Sequence, residues 1–74
     1  MVKVKTIGYI AEKLGFHERK LSVSGSVELN KLLPQLRDLN EKRLIVLVNG
    51  KPASLKSKVK EEDEILIIPV HGGG

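Results

Sequence analysis

One stretch of this chain has the leucine spacing of an amphipathic helix. We therefore expect one main helix that packs its apolar side against the rest of the domain. Four leucines recur at i, i+3, i+4 and i+7 and make one apolar stripe. They are Leu29, Leu32, Leu33 and Leu36. Pro34 interrupts the stripe, and a proline inside a helix costs about 3 kcal/mol. Because the leucine spacing continues through the proline, we expect a kinked helix rather than two short pieces, with Ser26 as its N-cap.

The other apolar residues lie in short runs that are typical of strands. Residues 2–7 and 19–23 alternate apolar and polar side chains, which indicates strands with one solvent-facing side. Residues 44–48 are consecutive aliphatics and indicate a buried strand. We also expect a short strand at residues 51–53 and a last strand at residues 64–69. This order predicts an α+β domain.

Glycine and proline signals mark the connections. Residues 9–16 are expected to form a short irregular or helical excursion that stops at Gly15, and residues 24–26 a turn. Asn49 and Gly50 both tolerate positive φ and predict a tight hairpin turn. We interpret residues 54–60 as a connection, with one turn of 3₁₀ helix around Leu55.

The chain has 74 residues and no cysteine. Its length fits one small domain that buries about 60% of the surface exposed by the unfolded chain. Neither a disulfide nor a thiolate metal site supports it. Lys3 and Lys5 interrupt any apolar leader near the start, and no stretch is long enough to span a bilayer. We expect a cytoplasmic protein that does not enter a membrane.

The net charge of +4 raises the question of nucleic acid. The basic residues, however, lie among acids along the whole chain, and Tyr9 and Phe16 are its only aromatic residues. Stacking on single strands normally needs more aromatic side chains. We therefore expect a mixed, solvated surface and no nucleic-acid partner, although mild basicity could steer the domain towards an acidic protein.

The last strand is followed within a few residues by three glycines. Gly72, Gly73 and Gly74 lack a Cβ, so they can enter a channel too narrow for other residue types. We divide the chain into a domain of residues 1–69 and a flexible tail of residues 70–74, and we expect the chemistry at the Gly74 carboxylate. A disordered glycine-rich end without chemistry is the alternative.

Catalysis by the chain itself is not indicated. His17 and His71 are its only imidazoles, and without cysteine few pairs of nucleophile and base are possible. The acidic run 61–64 lacks the spacing of an EF-hand and is interpreted as a solvated turn. We expect no bound metal or cofactor and no enzymatic activity.

The aliphatic runs at residues 44–48 and 65–68 are apolar on both faces of their strands. One helix covers only one face of a sheet, so some of these side chains should form an exposed patch suited to protein docking. The residues expected to bind a partner are Ile65, Ile67, Ile68, Pro69 and Val70.

Three segments together resemble the β-grasp sulfur carriers, ubiquitin-like proteins of the MoaD, ThiS and Urm1 type. Residues 62–70 with the glycines after them are similar to the family's acidic turn, aliphatic strand, proline and Gly-Gly end. Residues 47–52 resemble its central hairpin, and residues 10–15 the early loop of molybdopterin synthase small subunits, which makes MoaD the nearer type. The resemblance implies a β-grasp fold: a mixed four- to five-stranded sheet with one main helix on one face.

The resemblance also implies a carrier that is a substrate of other proteins. An E1-like adenylating enzyme would use ATP to activate the Gly74 carboxylate, and a persulfide donor would convert it to a thiocarboxylate. Gly72 and Gly73 would serve passage of the tail into the partner's active site. The sulfur acceptor stays open between molybdopterin, with a synthase large subunit as a further partner, the thiazole of thiamin, and tRNA.

Two other functions remain as alternatives. A ubiquitin-like protein modifier would be conjugated to lysines through Gly74. A small RNA-binding module of the same fold would bind independently of the tail and weaken steeply with salt.

Overall fold

The computed structural model describes residues 1–70. Its helices and strands are β1 (Val2–Thr6), α1 (Tyr9–Leu14), β2 (Glu18–Leu21), β3 (Ser26–Glu28), α2 (Leu29–Leu32), β4 (Leu44–Val48), β5 (Lys51–Ala53), β6 (Lys58–Lys60) and β7 (Glu64–Pro69). Two 3₁₀ helices, Pro34–Asp38 and Glu41–Arg43, connect α2 to β4. No helix in this part of the chain is long and apolar enough to cross a membrane.

Five strands form one mixed sheet in the order β2-β1-β7-β4-β5. The central strands β1 and β7 run parallel, with Val4 opposite Ile65, and the other neighbours are antiparallel. The helical segments cover one face. This is an α+β, ubiquitin-like β-grasp fold: the element order predicts the class, and the family resemblance implies the fold.

The hydrophobic core lies between the sheet and the helical segments. The sheet contributes alternate side chains of its three central strands, such as Val4, Val46 and Ile67, which are at most 4% exposed. Leu29 and Leu36, from α2 and the 3₁₀ helix after it, are both fully buried beneath them. Ile10 of α1 closes the core and is also fully buried.

The turn predictions at Gly15 and at Asn49 and Gly50 are confirmed, whereas Ser26, predicted as part of a turn, begins β3. Gly15 ends α1 in the left-handed conformation with φ of 86°, where a glycine carries no Cβ penalty. Asn49 and Gly50 connect β4 to β5 with φ of 53° and 81°. Two successive positive φ angles match the right-handed twist of a two-residue hairpin.

The prediction of one kinked helix is wrong. Ser26 lies in β3 and does not cap a helix, since Glu28 occupies the N-cap position of α2. The α-helix ends at Leu32, and Pro34 begins a separate 3₁₀ helix. Leu33 has φ of −125° and ψ of 82°, because the ring of a following proline disfavours the helical region for the residue before it.

The interpretation of residues 54–60 as a connection is wrong in its second half. Lys58–Lys60 forms β6, which pairs with β3 in a separate two-stranded sheet. Val59, in the middle of β6, faces Val27 and is fully buried. Lysine on both sides of one valine gave the segment the composition of a loop.

Candidate functional site

Strand β7 carries the chain out of the sheet at Pro69 and Val70. Pro69 is buried and lies opposite Leu44 of β4. Val70, the first residue of the predicted tail, is 43% exposed. Its backbone N–H still donates a hydrogen bond to the Arg43 carbonyl oxygen at 3.0 Å. The predicted sites at Gly72, Gly73 and Gly74, together with His71, lie outside the described residues.

The face of the sheet turned away from the core carries an apolar row on β4 and β7. Ile45 lies opposite Ile68 and Leu47 lies opposite Leu66, and directly opposed residues share a face. Ile45 is 41% exposed, and the other three are half-buried. Pro52 of β5 continues the row beside Leu47. We call Ile45, Leu47, Leu66 and Ile68 the outer apolar patch.

The prediction of partner-binding residues is corrected for three of its five members. Ile65 and Ile67 are 2% and 0% exposed and belong to the hydrophobic core, and Pro69 is buried as well. Side chains along a strand alternate between its faces, so Ile65 and Ile67 point inwards. Ile68 and Val70 remain accessible to a partner.

Sequence reasoning missed Ile45, Leu47 and Leu66 as surface residues. The signal was the alternation itself: Glu64 is exposed, and Leu66 and Ile68 follow it at steps of two on the same face. The same argument selects Ile45 and Leu47 once β4 is paired with β7. A continuous aliphatic run hides this pattern because both faces of the strand are apolar.

Lysines border the outer apolar patch on the β1 side. Lys5 lies opposite Leu66 and Lys3 opposite Glu64, and Lys20 of β2 lies opposite Lys3. A shallow depression runs along this border, lined by Lys5, Leu47 and Leu66 among others. We call Lys3, Lys5 and Lys20 the basic flank. The face therefore suits a partner surface that offers apolar side chains bordered by acids.

A hydrogen-bonded pair fixes the start of β7. The Asp63 carboxylate accepts hydrogen bonds from the Lys60 backbone N–H and from Asn49 Nδ2, both at 2.9 Å. These two bonds, the backbone one first, lower the pKa of Asp63 below its usual value. Asn49 Oδ1 accepts the backbone N–H of Glu64 at 2.9 Å. The β4–β5 turn and the β6–β7 turn are thereby joined.

Residues 1–70 contain no cluster of three or more histidine, cysteine or acidic side chains placed to hold a metal ion. His17 is exposed, and its carbonyl oxygen accepts a hydrogen bond from the Thr6 backbone N–H at 2.8 Å. The Thr6 hydroxyl donates to the Phe16 carbonyl oxygen. The loop around His17 is thus tied to β1 by the backbone N–H and the hydroxyl of Thr6, and neither contact involves the imidazole.

The structure is similar to solved structures of small archaeal proteins. SAMP1 from Haloferax volcanii superposes with a TM-score of 0.70 at 23% identity, covering 99% of this chain and 98% of that one. A putative molybdopterin converting factor, subunit 1, from Pyrococcus furiosus gives a TM-score of 0.67 at 18% identity, covering 92% and 94%. At these identities the likeness shows the fold alone.

A third structure is more similar in sequence. It is the small archaeal modifier protein 1 from Methanosarcina acetivorans, with a TM-score of 0.64, 28% identity and coverage of 99% of this chain and 95% of that one. No curated protein sequence is significantly similar to this chain. The ThiS family model, however, matches residues 4–74, which is nearly the whole sequence. This chain therefore belongs to the ThiS family.

Proposed function

We propose that this chain is a cytoplasmic sulfur carrier that is activated at its Gly74 carboxylate by an E1-like adenylating enzyme. The observation that carries the proposal is the ThiS family match over residues 4–74, because it spans both the β-grasp domain and the glycine end. The chain acts as a substrate and carries no catalytic group of its own. ATP is consumed at the partner's active site, not bound by the carrier.

The chemistry follows from the poor reactivity of a carboxylate. A Gly74 carboxylate oxygen attacks the α-phosphate of ATP, pyrophosphate leaves, and an acyl-adenylate forms. A persulfide sulfur then attacks the carbonyl carbon and AMP leaves. A second thiol attacks the donor's sulfur in the resulting S–S bond and forms a disulfide with it, and the thiocarboxylate is released. Glycines allow the end of the chain to enter a narrow active site because they lack side chains.

The outer apolar patch and the basic flank form the surface on which the adenylating partner docks. The patch borders the strand that leads to Val70, so a partner seated on it lies next to the path of the chain end. Apolar contacts supply most of the affinity. The basic flank favours an acidic rim on the partner, which raises the rate of encounter and sets orientation.

Three acceptors of the sulfur are consistent with this proposal: a molybdopterin precursor, the thiazole of thiamin, and tRNA. Residues 10–15, which resemble the early loop of molybdopterin synthase small subunits, form helix α1 and its left-handed end. We therefore place molybdopterin first, with a synthase large subunit as the second partner.

A second candidate function is conjugation to proteins. It is favoured by the 28% identity to a protein named as a small archaeal modifier over 99% of this chain. The same acyl-adenylate would then be attacked by a lysine amine in place of sulfur. An RNA-binding module is a third candidate, and the scattered lysines and the two aromatic residues of the sequence count against it.

Intact mass spectrometry of the protein purified from its own cells, without reductant, tests the proposal. We expect a fraction in which one oxygen of Gly74 is replaced by sulfur, localised by fragmentation of the terminal peptide. A variant without Gly74 is the control and should accept neither AMP nor sulfur. Adducts on target lysines without a thiocarboxylate would favour the modifier. Adenylation of the variant without Gly74 would overturn both.

A further inference from the structure

The turn after β1 contains a backbone conformation that only glycine adopts readily. Gly8 has φ of 64° and ψ of −147°, a region that is strained for any residue with a Cβ. Its carbonyl oxygen accepts the Ala11 backbone N–H at 3.1 Å, so the same residue begins α1.

Gly8 lies directly against Pro69. A Cβ added at Gly8 would lie 3.2 Å from Pro69 Cγ and 3.7 Å from Pro69 Cδ. Pro69 is buried and pairs with Leu44 on its other side, so its ring has little room to move away. Any side chain at position 8 would therefore push against the last residue of β7.

The next residue is held from the opposite side. The Val70 N–H donates to the Arg43 carbonyl oxygen at 3.0 Å, one residue before β4 begins. The chain is thus contacted at two successive positions, by the turn after β1 at Pro69 and by the residue before β4 at Val70. Both contacts lie where β7 ends.

We propose that Gly8, acting through Pro69, and the Arg43 carbonyl, acting through the Val70 N–H, are positioning groups for the reaction at the chain end. They fix the point and the direction in which the chain leaves the sheet. The inference rests on the proposed activation of Gly74. A partner docked on the sheet face must receive the Gly74 carboxylate. The residues after Val70 can carry this carboxylate at most about 14 Å from Val70. A misplacement of about 1 Å can cost a reaction about a hundredfold in rate.

The first test compares Gly8→Ala with Gly25→Ala. Both glycines have positive φ, 64° and 66°. An added Cβ meets no atom within 4 Å at Gly25, which precedes β3. Gly25→Ala therefore reports the effect of a Cβ at positive φ without the contact with Pro69.

The readout is the formation of the acyl-adenylate by the E1-like enzyme of the same organism with ATP. Pyrophosphate exchange measures its rate. The contact at 3.2 Å requires Pro69 to shift by a few tenths of an ångström. For Gly8→Ala we therefore expect kcat to fall by about threefold to tenfold while KM for the carrier stays nearly unchanged, since the docking face is intact. Gly25→Ala should match the unsubstituted protein in both constants. Equal kcat in the two variants would overturn the inference.

A second pair keeps the test decisive if Gly8→Ala does not fold. Val70→Pro removes the N–H that Arg43 accepts, and Val70→Ala keeps it. We expect kcat to fall further in the proline variant than in the alanine variant, which keeps the N–H but shortens a side chain that is accessible to the partner. Hydrogen exchange gives a readout without the enzyme: the Val70 amide should be protected in the unsubstituted protein and in Gly25→Ala, and faster in Gly8→Ala.

The possible failures are distinguishable. If the unsubstituted protein forms no acyl-adenylate, the proposed function fails and the inference fails with it. If it forms the adenylate and all four variants match it, only the positioning role is overturned. An exchange rate at Val70 that is unaffected by Gly8→Ala would also contradict the contact through Pro69.

Discussion

Asp63 shows how one carboxylate can organise two turns. It is 8% exposed, and its two oxygens each accept a hydrogen bond, from Asn49 Nδ2 and from the Lys60 N–H. Its own N–H donates to the Lys60 carbonyl oxygen at 3.1 Å, and its carbonyl oxygen accepts the Lys3 N–H at 3.0 Å. The residue therefore ties the β6–β7 turn to β1 and to the β4–β5 hairpin.

We expect Asp63→Asn to lower the free energy of unfolding by about 1 to 3 kcal/mol at neutral pH. Asparagine offers one acceptor oxygen where the structure presents two donors, so its NH₂ group must face an N–H. Urea unfolding measures the change. Glu18→Gln, on an exposed position of β2, is the control and should lie within about 0.5 kcal/mol of the unsubstituted protein. Equal effects would contradict a special role for Asp63.

The same carboxylate predicts a loss of stability in acid. The Lys60 N–H and then Asn49 hold the pKa of Asp63 below its usual range in the folded protein. The unfolded chain therefore binds more protons between the lowered value and about 3.9, and stability falls as the pH falls through that window. We expect the difference in free energy of unfolding between the unsubstituted protein and Asp63→Asn to shrink from about pH 5 to pH 2. The other carboxylates largely cancel in this comparison, and a constant difference would contradict the assignment.

The sequence could not single out Asp63 from its neighbours. Four acids stand in a row from Glu61 to Glu64, and composition describes all of them as a solvated turn. Glu62 has a positive φ of 74°, which turns the chain so that Asp63 points back towards Lys60. That conformation depends on the pairing of β7 with β1 and β4, which is long-range in the sequence.

At the level of elements, the leucine spacing correctly predicts which side chains are buried but wrongly predicts one kinked helix. Leu29, Leu33 and Leu36 are buried as the spacing predicts, because the stripe faces the sheet in either arrangement. Pro34 decides the rest: the residue before it leaves the helical region, and a 3₁₀ helix begins at the proline. The periodicity indicates which side chains are buried, whereas the proline ring determines the backbone conformation.

We expect Leu36→Ala to destabilise the protein by about 2 to 5 kcal/mol. Leu36 is fully buried on a 3₁₀ helix of 5 residues, and a helix this short is held by packing and not by its own hydrogen bonds. Guanidinium unfolding measures the loss. Leu32→Ala, at a half-buried position of α2, should cost clearly less. A similar cost at both positions would mean that the two helical pieces share one packing environment.

Strand β6 was missed for a reason that also lies at the level of elements. A strand of 3 residues with lysine at both ends has one apolar side chain, and one residue gives no periodicity. Its partner β3 has the same length and was assigned to the helix start. The pairing becomes visible only when the main sheet brings residues 26–28 and 58–60 together.

At the scale of the whole molecule, the order of most strands along the chain could be predicted from the sequence. Which side chains of the sheet face solvent could not. The apolar runs indicated two of the three central strands, since β4 is aliphatic throughout and β7 is aliphatic from Ile65 to Ile68. Which of their side chains face outwards depends on the register, and that required Ile45 opposite Ile68 to be known. The prediction therefore included Ile65 and Ile67, which face the core, and left out Leu66, which lies on the outer face of β7.

That face leads to a prediction for partner binding. Ile45→Glu places a charge in the outer apolar patch at a position that is 41% exposed, so the fold should be retained with a cost of at most about 1 kcal/mol. Binding to the adenylating enzyme, measured by calorimetry, should weaken by about tenfold to a hundredfold, because a buried charge at an interface lacks a partner.

Gln35→Glu is the matched control, since it changes the net charge by the same amount at an exposed position of the 3₁₀ helix, away from the sheet face. It should leave the affinity nearly unchanged apart from a small effect of charge that salt removes. If both variants weaken binding equally, net charge and not the patch controls recognition. If neither does, the partner docks elsewhere on the domain, and the glycine end must reach its active site from another direction.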